Sequence, residues 1–159
     1  QEENIAQIAE KIYRNNNVFF IGRGMDASIA YEGSLKLKEI SYINSFAMAA
    51  GELKHGTIAL IEPGTLVIAL AAQEKLYEKM LSNIQEIKAR GALVIGVAKD
   101  NSDAIEKQSD MTIYIPDCID EVSPVLEIVP LQILAYHIAR LRGCNIDKPK
   151  NLAKSVTVE

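Results

Sequence analysis

Lys154 lies near the chain's end, in Asn151-Leu-Ala-Lys-Ser-Val-Thr-Val-Glu159, among small and apolar residues. An amine attacks only when neutral, and packing that withdraws it from water favours the neutral form. The alternating Val156 and Val158 predict that this tail packs against something, which makes Lys154 a candidate nucleophile. The competing reading is a solvated lysine at a frayed end. A second set is Glu32, Lys36 and Glu39, spaced i, i+4 and i+7. That spacing places all three on one helix face, where Lys36 can reach either carboxylate. Such a face is either a solvated surface stitched by ion pairs or the seat of a base for a proton alpha to a carbonyl. His55, in Glu52-Leu-Lys-His-Gly56, is a residue type suited to general acid–base work. A loop histidine that merely satisfies a carbonyl is the alternative. His137, among Leu134, Ala135, Tyr136 and Ile138, reads as packing or surface.

Gly22-Arg23-Gly24 occupies a place where a glycine turn and a helix N-terminus can hold phosphate. It lacks the third glycine and ribose-binding acid of a dinucleotide fingerprint, and it is no Walker motif. A tight strand-to-helix turn is the favoured reading.

The elements that must position these groups alternate between helix and strand. Asn4 to Arg14 has apolar residues at helical spacing, and Asn17 to Gly22 reads as a buried strand. Asp26 to Ile40 reads as a helix with Asp26 as its N-cap. A short strand is expected at Tyr42 to Phe46, and a short helix or turn around His55, between Ala50 and Leu60. Thr65 to Ala71, Ala92 to Ala98 and Thr112 to Ile115 read as further strands. Glu74 to Arg90 is an amphipathic helix stopped by Gly91. Glu121 to Arg142 is another, with Pro124 tolerable in its first turn and Pro130 expected to bend it or interrupt a hydrogen bond. Apolar strands separated by helices imply an α/β three-layer sandwich around a five-stranded parallel sheet. The expected strand order is 2-1-3-4-5, as in flavodoxin-like folds, with ligands at the carboxyl ends of the strands.

The chain has 159 residues and a formal net charge of −4, with no tryptophan and no basic stripe interleaved with aromatics, which disfavours nucleic acid as a partner. Its longest apolar runs, such as Leu66 to Ala72, are too short to span a bilayer. Cys118 and Cys144 give no disulfide framework or zinc spacing, and His55 and His137 stand far apart, so no metal is expected. A reducing, cytoplasmic setting follows. The start, Gln1-Glu2-Glu3-Asn4, reads as the beginning of a piece of a longer protein.

Three blocks carry a resemblance: Glu32-Gly-Ser-Leu-Lys-Leu-Lys-Glu-Ile-Ser-Tyr42, Gly51-Glu-Leu-Lys-His-Gly56, and the tail Asn151 to Glu159. In content and order they resemble the glutamine–fructose-6-phosphate aminotransferase (glucosamine-6-phosphate synthase) family, over essentially the whole chain. The resemblance implies that residues 1–159 form one sugar isomerase (SIS) domain with a catalytic tail from about residue 144. It implies a transferase that turns fructose 6-phosphate and glutamine-derived ammonia into glucosamine 6-phosphate, in the amino-sugar pathway to UDP-N-acetylglucosamine. By that resemblance Lys154 forms a Schiff base with open-chain fructose 6-phosphate and Ala153 lines the sugar through its backbone. Glu39 moves a proton between C1 and C2, with Lys36 beside it. His55 reaches into the neighbouring subunit of a homodimer and assists ring opening. No cofactor is implied. The N-terminal glutaminase domain and the first SIS domain, with its Ser/Thr-rich phosphate loop, would lie elsewhere in the longer chain, so the fragment alone is expected to be inactive. Thr57 stands where the family commonly has proline, and Lys150 where it commonly has arginine. The rival reading is a non-catalytic sugar-phosphate-binding SIS module.

Overall fold

Strand residues alternate between two apolar cores, so the sheet must be covered on both faces. The computed structural model describes residues 1–151. The strands are β1 (Asn17–Gly22), β2 (Asn44–Ala49), β3 (Leu66–Leu70), β4 (Leu93–Lys99) and β5 (Met111–Ile115). They pair in parallel in the order β2-β1-β3-β4-β5, which is the expected order. The helices are α1 (Glu2–Ile12), α2 (Met25–Ser41), α3 (Tyr77–Lys88), α4 (Asp103–Gln108) and α5 (Ser123–Leu141). Val18, Phe20, Ile68, Ile95 and Ile113 face a core completed by Ile5, Ile12, Leu37, Leu131 and Leu134, hence by α1, α2 and α5. Phe19, Ile21, Val67 and Val94 face a second core completed by Met80, Ile84, Ile87 and Ile105, from α3 and α4. This is the expected three-layer sandwich. Each fully buried aliphatic or aromatic side chain in these cores contributes about 1.5–3 kcal/mol of transfer free energy.

Several boundaries differ from the sequence reading. Tyr42 does not open β2. It takes the left-handed conformation (φ 58°) after α2, and the strand begins at Asn44. The helix expected from Glu74 starts with a 3₁₀ turn, Glu74–Leu76, and becomes α-helical at Tyr77. The stretch around His55 forms two 3₁₀ turns, Ala50–His55 and Thr57–Leu60. α4 was not expected, because six residues with one buried apolar side chain, Ile105, leave little periodicity to read. Pro130 lies inside α5, which continues past it to Leu141.

Candidate active site

α2 owes its position to small residues. Its buried side is Ala27, Ala30, Gly33, Ser34, Leu37 and Ser41. A Cβ at Gly33 would stand 2.7 Å from Leu131 Cδ1 and 3.2 Å from Phe20 Cε1, so glycine sets how closely α2 approaches α5 and the sheet. With that side buried, Glu32, Lys36 and Glu39 share the other side. Lys36 Nζ lies 2.9 Å from Glu39 Oε2 and 3.4 Å from Glu32 Oε1. The hydrogen bond from Lys36 to Glu39 raises the lysine's pKa, more than offsetting partial burial, with both carboxylates adding to the rise. Lys36 is therefore held as a cation. It can stabilise negative charge but cannot serve as the neutral amine of an imine.

The sheet topology separates the other expected site residues. α2 starts beside the carboxyl end of β1 and runs back, so Glu39 sits near the amino edge of the sheet, one turn before β2 begins. A crossover helix carries its last turn to the edge opposite the carboxyl ends of the strands, where ligands of such sheets are expected. His55 is exposed and ends the 3₁₀ turn Ala50–His55 that follows β2. That turn buries Ala50 and Leu53 in the second core, whereas α2 buries Ala30 and Leu37 in the first. Lys36 and Glu39 are thus brought together, while the turn that carries His55 packs on the opposite face of the sheet. Ala153 and Lys154 lie outside the described residues.

The chain returns to Glu39's end of α2 before the described residues stop. Arg142, just past α5, donates from Nε to the Ser41 carbonyl at 3.1 Å and from Nη1 to the Tyr13 carbonyl at 2.7 Å. These bonds satisfy a carbonyl left free at the end of α2 and tie it to the α1–β1 connection. The Tyr42 hydroxyl then accepts the Lys150 N–H at 2.8 Å, and Lys150 Nζ sits 4.3 Å from the Tyr42 ring centre.

The glycine turn after β1 forms the tight strand-to-helix connection. Gly24 has φ 57°, and the Gln73 side chain fills the space beside it, donating to the Arg23 carbonyl at 3.0 Å. A crevice of about 1060 Å³ lies over the carboxyl ends of β3, β4 and β5, lined by Lys99, Cys118 and Asp120 among others. Lys99 is nearly buried there, with Nζ 2.9 Å from Asp120 Oδ1. Burial lowers the Lys99 pKa, but Asp120 more than compensates and the net shift is upward.

A family model described as "SIS domain" matches residues 11–142. The chain belongs to the SIS domain family. This SIS domain is 60% identical over 158 residues to the glutamine–fructose-6-phosphate aminotransferase [isomerizing] of Caldanaerobacter subterraneus subsp. tengcongensis, covering 99% of this chain and 26% of that protein. Its identity to the enzyme of the same name from Methanosarcina acetivorans is 53% over 159 residues, 100% of this chain and 26% of that protein. Among solved structures it is similar to the C-terminal domain of glucosamine-fructose-6-phosphate aminotransferase from Francisella tularensis, with TM-score 0.85 and 38% identity over 93% of this chain and 42% of that one. The resemblance read from the three sequence blocks is borne out. The SIS domain spans about a quarter of the length of the relatives it matches. No helix among the described residues is long and apolar enough to cross a membrane.

Sequence reasoning missed one buried feature of the SIS domain. Asp26 is not an N-cap. Its Oδ2 accepts from the Ala72 N–H at 2.9 Å and the Gln73 N–H at 3.4 Å, and its Oδ1 accepts from Gln73 Nε2 at 3.0 Å. The backbone after β3 competes for that side chain and wins, because Asp26 is buried against it. Beside it lies Glu127, fully buried on α5, with no donor to either carboxyl oxygen among the described residues. The nearby Ser123 hydroxyl is spent on the Asp120 carbonyl at 3.0 Å. Burial first, then the adjacent Asp26, pushes Glu127 up to about 9. Asp26 is also raised by burial, while its three N–H donors oppose the rise. Glu127 therefore keeps its proton near neutral pH, which avoids two adjacent buried negative charges. The signal was present in the sequence: Glu127 falls in register with Ser123, Pro130, Leu131 and Leu134 on the buried side of α5.

Proposed function

We propose that this SIS domain supplies part of the sugar site of a glutamine–fructose-6-phosphate aminotransferase, which makes glucosamine 6-phosphate for amino-sugar synthesis. The observation that carries this reading is the 60% identity across 99% of the chain to an enzyme of that name. In this reading residues 1–159 are one SIS domain with its catalytic tail, belonging to a larger cytoplasmic enzyme. The partners are fructose 6-phosphate, glucosamine 6-phosphate, a first SIS domain, a glutaminase domain and a second copy.

The neutral Lys154 amine adds to C2 of open-chain fructose 6-phosphate and water leaves, giving an imine. Ammonia then displaces the lysine nitrogen at C2. Glu39 takes a proton from C1 and returns it to C2, which leaves an aldehyde at C1 and an amine at C2. Lys36, held as a cation 2.9 Å from Glu39, orients that carboxylate and offsets negative charge developing on the sugar. Ala153 lines the sugar through its backbone. His55 of a second copy assists ring opening, which accords with the packing of its turn on the face of the sheet opposite α2. These steps draw on no metal or organic cofactor. Support for a covering partner comes from α2 and α5, where Tyr31 is 57%, Val125 65% and Val129 49% exposed.

Borohydride reduction of the full-length enzyme with fructose 6-phosphate tests the reading. Label is expected on Lys154. Lys154→Arg, which keeps the charge but forms no imine, should abolish labelling and lower synthesis by orders of magnitude. An unlabelled Lys154 with a near wild-type Lys154→Arg enzyme would leave the domain as a sugar-phosphate-binding module.

A further inference from the structure

Tyr42 holds a backbone conformation that an aromatic residue rarely takes. Its φ of 58° and ψ of 21° are left-handed, the usual place of glycine after a helix. For a residue with a Cβ this conformation is strained. Strain of that kind persists where the surroundings enforce it, and it gathers at functional positions. Here the left-handed turn lets the Tyr42 N–H close on the Lys38 carbonyl at 3.2 Å. The Tyr42 hydroxyl accepts the Lys150 N–H at 2.8 Å, while the Lys150 ammonium sits over the ring at 4.3 Å. Tyr42 is three residues after Glu39 on the same helix end.

We propose that Tyr42 is a positioning residue, which anchors the segment leading to Lys154 within one turn of Glu39. The inference rests on the roles proposed for Lys154 and Glu39. Without the anchor, the last hydrogen bond to the body of the domain before Lys150 among the described residues is from the Cys144 N–H to the Ala139 carbonyl at 2.9 Å. From there Lys154 is ten residues away, a reach of about 35 Å at some 3.5 Å per residue. From Lys150 it is four residues away, a reach of about 14 Å. Effective concentration falls with about the −3/2 power of tether length, so releasing the anchor lowers that of Lys154 about fourfold.

The test uses the full-length enzyme with Tyr42→Phe, which keeps the ring and removes the acceptor oxygen. Tyr42→Gly is made alongside, because it removes the side chain and relieves the left-handed strain. Both are expected to lower kcat, and the rate of borohydride trapping at Lys154, by about fourfold or more. KM for fructose 6-phosphate should not change. Tyr42→Gly should do so without lowering the melting temperature, which a merely structural role would not produce. Unchanged kcat and trapping in both variants would overturn the proposal. So would losses that follow melting temperature and KM together. Lys154→Arg run in parallel separates the two failures. If that variant is active, the site reading falls. If it is dead while both Tyr42 variants are normal, only the anchor falls.

Discussion

Glu127→Gln isolates a buried proton. In the folded chain Glu127 stays protonated up to about 9, against an ordinary value of 4.5. Above pH 4.5 the unfolded chain releases that proton while the folded chain retains it, so the native state binds more protons and stability falls as pH rises. The stabilising contribution is therefore fully present below 4.5 and lost progressively towards 9. Each pH unit in this window is worth about 1.4 kcal/mol, so at pH 7 the loss amounts to about 3 kcal/mol. Glutamine has nearly the same shape, offers an N–H to Asp26 and does not titrate.

Urea unfolding of both chains across this range reads the effect directly. The variant should match the parent near pH 4.5 and become more stable than it by about 1.4 kcal/mol per unit above that, up to about 9. A stability gap that stays constant with pH would refute the reasoning. It would mean that Glu127 ionises alike in the folded and unfolded chains, and that the Asp26 pairing does not hold its proton.

Two further outcomes are expected. In the full-length enzyme, mixed dimers pairing a His55→Ala subunit with a Glu39→Gln subunit should regain one intact site; activity no higher than in either mutant homodimer would place both residues' action within one chain. Gly33→Ala sets a Cβ 2.7 Å from Leu131 Cδ1, inside a packed core, at an overpacking cost of about 1–3 kcal/mol. Alanine's better helix propensity returns up to about 1 kcal/mol, so thermal unfolding should occur a few degrees lower, and a higher melting temperature would contradict the close approach assigned to α2.

The strands were legible because β1, β3 and β4 are apolar on both faces, and uninterrupted runs such as Leu66 to Leu70 admit few other readings. Local readings failed where a distant group took over. Asp26 looks like an N-cap from its neighbours alone, yet the amides of Ala72 and Gln73 claim its carboxylate. Tyr42 looks like a strand residue, yet it closes α2 in a left-handed turn onto the Lys38 carbonyl, and its hydroxyl meets the Lys150 N–H, 108 positions away. The Glu32–Lys36–Glu39 face was readable because i, i+3 and i+4 neighbours meet in any helix. Its position in the molecule was not, because that depends on which sheet edge the helix ends at. The expectations for Ala153 and Lys154 remain readings of the sequence.

Topology has one more consequence for the proposed site. In a parallel sheet every crossover helix ends at the amino edge, and every strand delivers its next residue to the carboxyl edge. Glu39 lies in the last turn of such a helix, on one face of the sheet, and the turn that carries His55 packs on the other face. If both act on one substrate, this separation favours their coming from two copies. The Lys36–Glu39 pair and the segment leading to Lys154 then need only one chain, because Arg142 and Tyr42 gather them at one helix end. Covalent and proton-transfer groups would thus stay together within a subunit, and only the ring-opening histidine would cross between subunits.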